Sequence, residues 1–158
     1  MAVEENKYLT FLSGKEIYGM SILKVKSIIN MMPITPVPRM PNHVKGVINL
    51  RSRIVPIIDL KARFGLGDSD YEAARTCIII VEMMVEGVMR TNGLVVDEVS
   101  EVLDITEGYI EPVPTYGESS VEKEFISSIG KIKDKIIMLL DVEKLFTTEN
   151  THQTSAES

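Results

Sequence analysis

The sequence predicts an all-β fold: a pair of small barrels built from two related halves of one chain. Three observations predict it. An internal repeat spans most of the chain, short β-branched runs are bounded by Gly, Pro and Asn, and helical periodicity is scarce. Two small sheets of many strands point to barrels, because closing each sheet removes the unpaired edges along which such chains aggregate.

The repeat is read by sliding the chain along itself. Gly19-Met-Ser-Ile-Leu-Lys-Val25-Lys-Ser-Ile28-Ile29 lies over Gly93-Leu-Val-Val-Asp-Glu-Val99-Ser-Glu-Val102-Leu103 at an offset of 74. Pro36-Val37-Pro38 lies over Pro112-Val113-Pro114 at 76, and Ile54 through Phe64 lies over Ile136 through Phe146 at 82. A growing offset is what loop insertions in the second copy produce, since surface loops take extra residues at little entropic cost.

Within each copy, Val47-Ile48, Ile54-Val55, Ile57-Ile58, Ile78-Ile79-Ile80-Val81 and Ile136-Ile137 are the predicted strands. Asn92-Gly93 resembles a two-residue hairpin turn, yet the repeat sets Gly93 opposite Gly19 inside a strand, so Glu86-Gly87 is the expected turn. Helix is expected only after the aligned aspartates. Asp59 is placed to N-cap Leu60 to Phe64, ending at Gly65, and Asp141 to cap Val142 to Phe146.

Composition counts against several classes of function, and leaves a small-barrel nucleic-acid-binding protein as the less favoured alternative. Seventeen basic against 23 acidic residues give a formal charge of −6, the wrong sign for a phosphate binder. A small-barrel nucleic-acid binder would show a basic stripe with exposed aromatics, and the chain has five tyrosines, four phenylalanines and no tryptophan. No nucleophile–base pair, phosphate loop or dinucleotide fingerprint is present, so no enzymatic activity, metal or cofactor is expected. Cys77, in an aliphatic run, reads as a small buried hydrophobe, and His43 and His152 read as loop residues. No run approaches the roughly 20 apolar residues of a membrane span, so a cytoplasmic protein is expected. Residues 149–158 carry one small apolar side chain and are expected to be a disordered tail.

The stretch from Pro41 to Leu60, with Val-Lys-Gly46-Val-Ile-Asn49-Leu50-Arg51-Ser52 and Pro56-Ile-Ile-Asp59-Leu60 at its centre, resembles the signature of the CheW family. So do Tyr18-Gly19 through Val25, and Gly93 through Val99; the resemblance runs in order from about Tyr8 to Phe146. It implies two pseudo-symmetric five-stranded SH3-like β-barrel subdomains packed together within one domain of residues 1–148. Their expected extents are about 15–65 and about 75–148, with the N-terminal strand crossing between them.

The resemblance further implies an adaptor coupling methyl-accepting chemoreceptors to the histidine kinase CheA, recruited to membrane-associated receptor arrays. Its partners would be the receptor signalling tip and the kinase regulatory domain. By position, the receptor-binding residues would be Leu9, Ile22, Val25, Arg51 and Val99, with the kinase contacts unassigned. The alternative within the same family is the regulatory CheW-like domain of a CheA-type kinase; an opening Met1 and acidic leader favour the free-standing adaptor.

Read from the residues alone, alternation in Ile48-Asn49-Leu50-Arg51 turns Leu50 inward and Asn49 and Arg51 outward. Val25, Ile28, Val99 and Val102 read as core aliphatics. Met31-Met32 and Met83-Met84 suit either core filling or adaptable contacts. Two positions depart from the family. Ser52 stands where Gly usually follows Asn-Leu-Arg, which strains a turn needing positive φ, and Ser27 replaces the usual acidic residue, removing a charge from the partner-facing surface.

Overall fold

The computed structural model describes residues 6–114 and 125–146; the expected tail at 149–158 and His152 lie outside them. Eleven strands follow in order: β1 (Lys7–Ser13), β2 (Glu16–Ser21), β3 (Val25–Asn30), β4 (Val44–Leu50), β5 (Arg53–Asp59), β6 (Cys77–Val85), β7 (Val88–Val96), β8 (Glu98–Asp104), β9 (Ile110–Glu111), β10 (Ile126–Ile132) and β11 (Lys135–Leu140). One short helix, α1 (Leu60–Arg63), follows β5, and residues 142–146 are helical. The fold is all-β, and both helical turns stand where the aligned aspartates placed them.

The strands form two sheets, ordered β8-β1-β2-β11-β10-β9 and β3-β6-β7-β5-β4. The second has five strands; the first adds the two-residue β9 as a sixth. The repeat pairs β1 with β6, β2 with β7, β3 with β8, β4 with β10 and β5 with β11. Under that pairing the two strand orders are the same. Each sheet therefore takes its central hairpin from the other half of the chain: β1–β2 sits between β8 and β11, and β6–β7 between β3 and β5. The exchange involves a whole hairpin in each direction, where the sequence suggested one crossing strand, so the sheets do not divide at 15–65 and 75–148.

The exchanged hairpins are joined by the only parallel pairings among the described strands, Gly19 opposite Leu139 and Gly93 opposite Ile57. These are equivalent positions in the repeat. A Cβ on Gly19 would lie 3.1 Å from Ile137 Cγ2 and Leu139 Cδ2, and one on Gly93 only 2.5 Å from Ile57 Cδ1. The matched glycines mark where a strand from one half presses on the side chains of the other.

Strand alternation divides the interior into three cores. Ile57, Ile78, Ile80 and Val95 point into a core of the second sheet, while their neighbours Ile58, Ile79, Val81 and Leu94 join the core shared by both sheets. Ile105, Ile137 and Leu139 form the matching core of the first sheet. Strands buried on both faces read as unbroken aliphatic runs, which is why Ile78 to Val81 shows no polar alternation. Past Val81 the strand is covered on one face only, so Met83 is buried and Met84 exposed. Met31 and Met32 pack on the core of the second sheet, Cys77 is buried with its thiol pushed up in pKa by desolvation, and the side chain of His43, in the turn before β4, is also buried.

The β6–β7 turn is Glu86-Gly87, both at positive φ (51° and 81°), as expected. The β4–β5 hairpin turns through Arg51 and Ser52, at φ 53° and 70°. A side chain in this left-handed region costs roughly 1–2 kcal/mol, part of which glycine's extra chain entropy offsets. Ser52→Gly is expected to stabilise the protein by about 0.5–1 kcal/mol and raise Tm by about 1–4 °C. A lower Tm in differential scanning calorimetry would show that Ser52 is held by contacts a glycine cannot replace.

Candidate protein-interaction site

Four of the five positions singled out in the sequence belong to, or pack against, one core cluster. Leu9 lies in β1 opposite Met20 and Val102. Ile22 opens a 3-10 turn capped by Ser21, whose Oγ accepts from the Leu23 N–H at 3.2 Å. Val25 begins β3 opposite Val81, and Val99 lies in β8 opposite Phe11. Val25 and Val99 are equivalents in the repeat, one on each sheet. Leu9 is a member of the shared core at 3% exposure, with Ile22, Val25 and Val99 partly buried around that core. The three are among the partly buried side chains packed against that core, with Val44, Val85, Ile126 and Met138.

The strands here are shaped by matched irregularities. The register of β1 on β8 shifts between Leu9 and Phe11, and that of β3 on β6 between Val25 and Ser27. Thr10 fills the first gap: its Oγ1 donates to the Glu101 carbonyl at 2.7 Å and accepts from the Glu101 N–H at 3.2 Å. An ion pair between Lys24 and Glu143 ties the turn after Ile22 to the helical segment at 142–146. A bulge of this kind re-aims side chains without breaking the sheet.

Arg51 stands apart from that cluster, exposed in the tight β4–β5 turn. It lines a cleft of about 180 Å³ with Lys26, Ser27, Ile28 and Ile29 of β3 and with Arg53 of β5. The strand that begins at Val25 therefore also carries the residues that line this cleft beside the arginine. Leu50 packs on the core of the second sheet while Asn49 and Arg51 face out, as alternation required.

Sequence reasoning missed two features. Ile28 and Val102, read as core, are 45% and 47% exposed; both lie on strands at the end of their sheet's order, β3 and β8, where one side chain in two faces water. Arg53 and Thr91 join the cleft, a meeting of β5 and β7 that no sequence pattern announced. The repeat itself held the signal for the first, since Ile28 and Val102 align with each other.

Two interior features hold this surface in place. Asp59, fully buried, accepts from the Lys61 N–H, the Ser69 N–H and Oγ and the Tyr71 hydroxyl, all within 3.0 Å. Burial first, and then the bond to Asp59, push the Tyr71 hydroxyl well above the usual phenol range, keeping it a donor. Buried Arg63 donates from Nε to the Leu145 carbonyl at 3.1 Å and lies 4.1 Å over the Phe125 ring. Among the described residues no group of three or more His, Cys, Asp or Glu side chains is arranged to hold a metal ion, and no helix is long and apolar enough to cross a membrane.

Comparison with known proteins gives a consistent result. The model of the CheW-like domain matches residues 7–150. The chain is 36% identical over 143 residues to the chemotaxis protein CheW of Klebsiella aerogenes, covering 90% of this chain and 82% of that protein. It is 35% identical to the probable chemotaxis protein CheW of Rhizobium etli, covering 90% and 88%. The crystal structure of the scaffolding protein TtCheW from Thermoanaerobacter tengcongensis superposes with a TM-score of 0.78 at 37% identity, covering 89% of this chain and 92% of that one.

Proposed function

The chain belongs to the CheW family, and on that premise we propose that this chemotaxis scaffold couples methyl-accepting chemoreceptors to the histidine kinase CheA by non-covalent contacts alone. The supporting observation is that Ile22 and Val25 of one half of the chain and Val99 of the other are all partly buried against the core that the two sheets share. Partly exposed aliphatics of this kind suit a helical receptor tip laid with its apolar face along them. Arg51 adds a rigid fork of donors for carboxylates or carbonyls of the same partner.

An adaptor needs several surfaces at once. A folded chain of this mass exposes on the order of 8,000 Å², and a standard contact takes about 800 Å² of each partner. A receptor contact there therefore leaves both outer sheet ends free for the kinase regulatory domain or another coupling protein. In this reading residues 1–148 act as one unit, at the membrane-associated receptor array, because the shared core and the exchanged hairpins make the two sheets inseparable.

The test is a pull-down with purified kinase regulatory domain and a receptor signalling tip. The wild-type chain should retain both. Arg51→Ala should lose at least one while keeping its Tm, since the exposed side chain holds no internal ion pair among the described residues and alanine adopts positive φ at a similar cost. Equal retention of both partners by Arg51→Ala would remove Arg51 from the site. Leu9 is a poor probe: truncating a core leucine costs about 2–5 kcal/mol and confounds binding with unfolding.

A further inference from the structure

The repeat makes one exchanged hairpin a control for the other, and the two differ in length. Gly19 pairs with Thr10 in β1–β2, and its equivalent Gly93 pairs with Ile80 in β6–β7. From that common point β1–β2 runs three further pairs, ends at Ser13 opposite Glu16 and turns through Gly14-Lys15. β6–β7 runs five, so Met84–Met89 and Val85–Val88 have no counterpart and carry the Glu86-Gly87 turn about 7 Å farther out. The shorter hairpin is tied to the body of the protein at its turn, where the Gly14 N–H donates to Asp97 Oδ2 at 2.8 Å. Among the described residues no such bond and no ion pair holds residues 84–89.

All four added side chains are apolar. Met84, Val88 and Met89 are 55%, 53% and 52% exposed, and Val85 is partly buried. Directly paired residues share a face, so Val85 and Val88 lie on one face of the projecting ribbon and Met84 and Met89 on the other. A hairpin lengthened only to reach into water has no use for apolar groups on both faces; grouped in this way they mark a contact surface. Three half-exposed side chains offer on the order of a few hundred Å², well short of the roughly 800 Å² each partner gives to a stable dimer. A second copy laid flat against the tip is therefore not held by it. A partner concave enough to cover both faces at once uses all four side chains.

The overhang also continues a surface already described. Val25 lies opposite Val81 of β6, and Met83 and Val85 follow Val81 on the same face of that strand. The 3-10 turn that opens at Ile22 lies against β6, and Lys26 pairs with Glu82 at 3.0 Å, fixing the base of the hairpin on β3. Val85 and Val88 thus extend the aliphatic face that carries Val25 by about 13 Å along the strand. We propose that the β6–β7 overhang is a second contact for the helical receptor tip: its four apolar side chains enter the groove between two helices of the tip while Ile22 and Val25 meet one of those helices. A groove between helices is apolar and covers a two-stranded ribbon on both faces, and the unbranched Met84 and Met89 adapt to its shape. The overhang then selects receptors by the width and apolarity of that groove. This inference rests on the adaptor reading and adds to it the element that distinguishes one receptor tip from another.

Calorimetric titration of the full chain with a purified receptor signalling tip, and separately with the kinase regulatory domain, tests it in two variants. The first deletes Met84, Val85, Val88 and Met89, so that Glu86-Gly87 joins Met83 to Arg90 and the hairpin takes the length of β1–β2. The second, Met84→Thr with Val88→Thr and Met89→Thr, keeps the length and the strand preference while replacing only exposed apolar groups, so it decides the matter if the deletion fails to fold. Either variant is expected to weaken the receptor tip roughly tenfold and to leave the kinase domain within about twofold. In the wild type, the Met84 and Met89 methyl resonances should shift on addition of the receptor tip and stay in place on addition of the kinase domain. Wild-type receptor affinity in both variants would overturn the overhang contact and leave the adaptor reading standing. A loss confined to the kinase domain reassigns the overhang to the kinase, and wild-type dimers in sedimentation that both variants lack reassign it to a second copy; either result ends the proposal. A wild-type chain that binds neither protein removes the adaptor reading and the overhang contact together.

Discussion

Gly46→Ala is expected to destabilise the fold by about 3–5 kcal/mol, a large part of the roughly 5–15 kcal/mol that holds a domain together. Gly46 lies at φ +138°, where side chains are strained whatever the space, and a Cβ there would fall 2.1 Å from the Thr35 carbonyl oxygen. That contact is backbone on backbone, so no rotamer change relieves it. The approach is close because the segment before β4 crosses it: Thr35 and Val47 exchange hydrogen bonds of 2.8 and 2.9 Å, beside the register shift between Val44 and Gly46. Urea unfolding should show the midpoint falling by roughly a third to a half of its wild-type value, or a chain recovered only as aggregate. A cost under about 1 kcal/mol would mean that the Thr35–Val47 bridge moves aside freely.

Asp59→Ala should cost about 3–5 kcal/mol, against about 1 kcal/mol for Asp141→Ala. The two aspartates align in the repeat and both cap a helical turn, Asp59 through the Lys61 N–H and Asp141 through the Lys144 N–H at 3.2 Å. Only Asp59 is also the acceptor for Ser69 and Tyr71. Its removal leaves those donors facing an apolar interior and frees the loop that carries the chain from α1 to β6. Parallel denaturation of the two variants measures the difference directly. Equal losses would show that Asp59 acts as a cap alone, and that the loop is anchored by its backbone.

Asp59 also shows what the sequence could and could not disclose. Its capping role was legible, because an aspartate before Leu60-Lys-Ala-Arg with Gly65 beyond is a local pattern. Its second role was not, because Ser69 and Tyr71 reach it through a loop whose path depends on packing. The candidate site divides in the same way. Arg51 could be assigned outward from alternation, and Val25 and Val99 could be matched by repeat and by resemblance. That Leu9 lies inside the core and Arg53 and Thr91 line a cleft followed from strands distant in sequence.

By itself the sequence determined an all-β chain of two copies, its turn at Glu86-Gly87 and its two capped helical turns, since periodicity, glycine and capping aspartates act over a few residues. The tertiary structure alone decided which copy each hairpin completes. Strand pairing is a long-range choice, settled where Gly19 and Gly93 let one half close on the other, and nothing local to β1–β2 distinguishes its own sheet from its neighbour's.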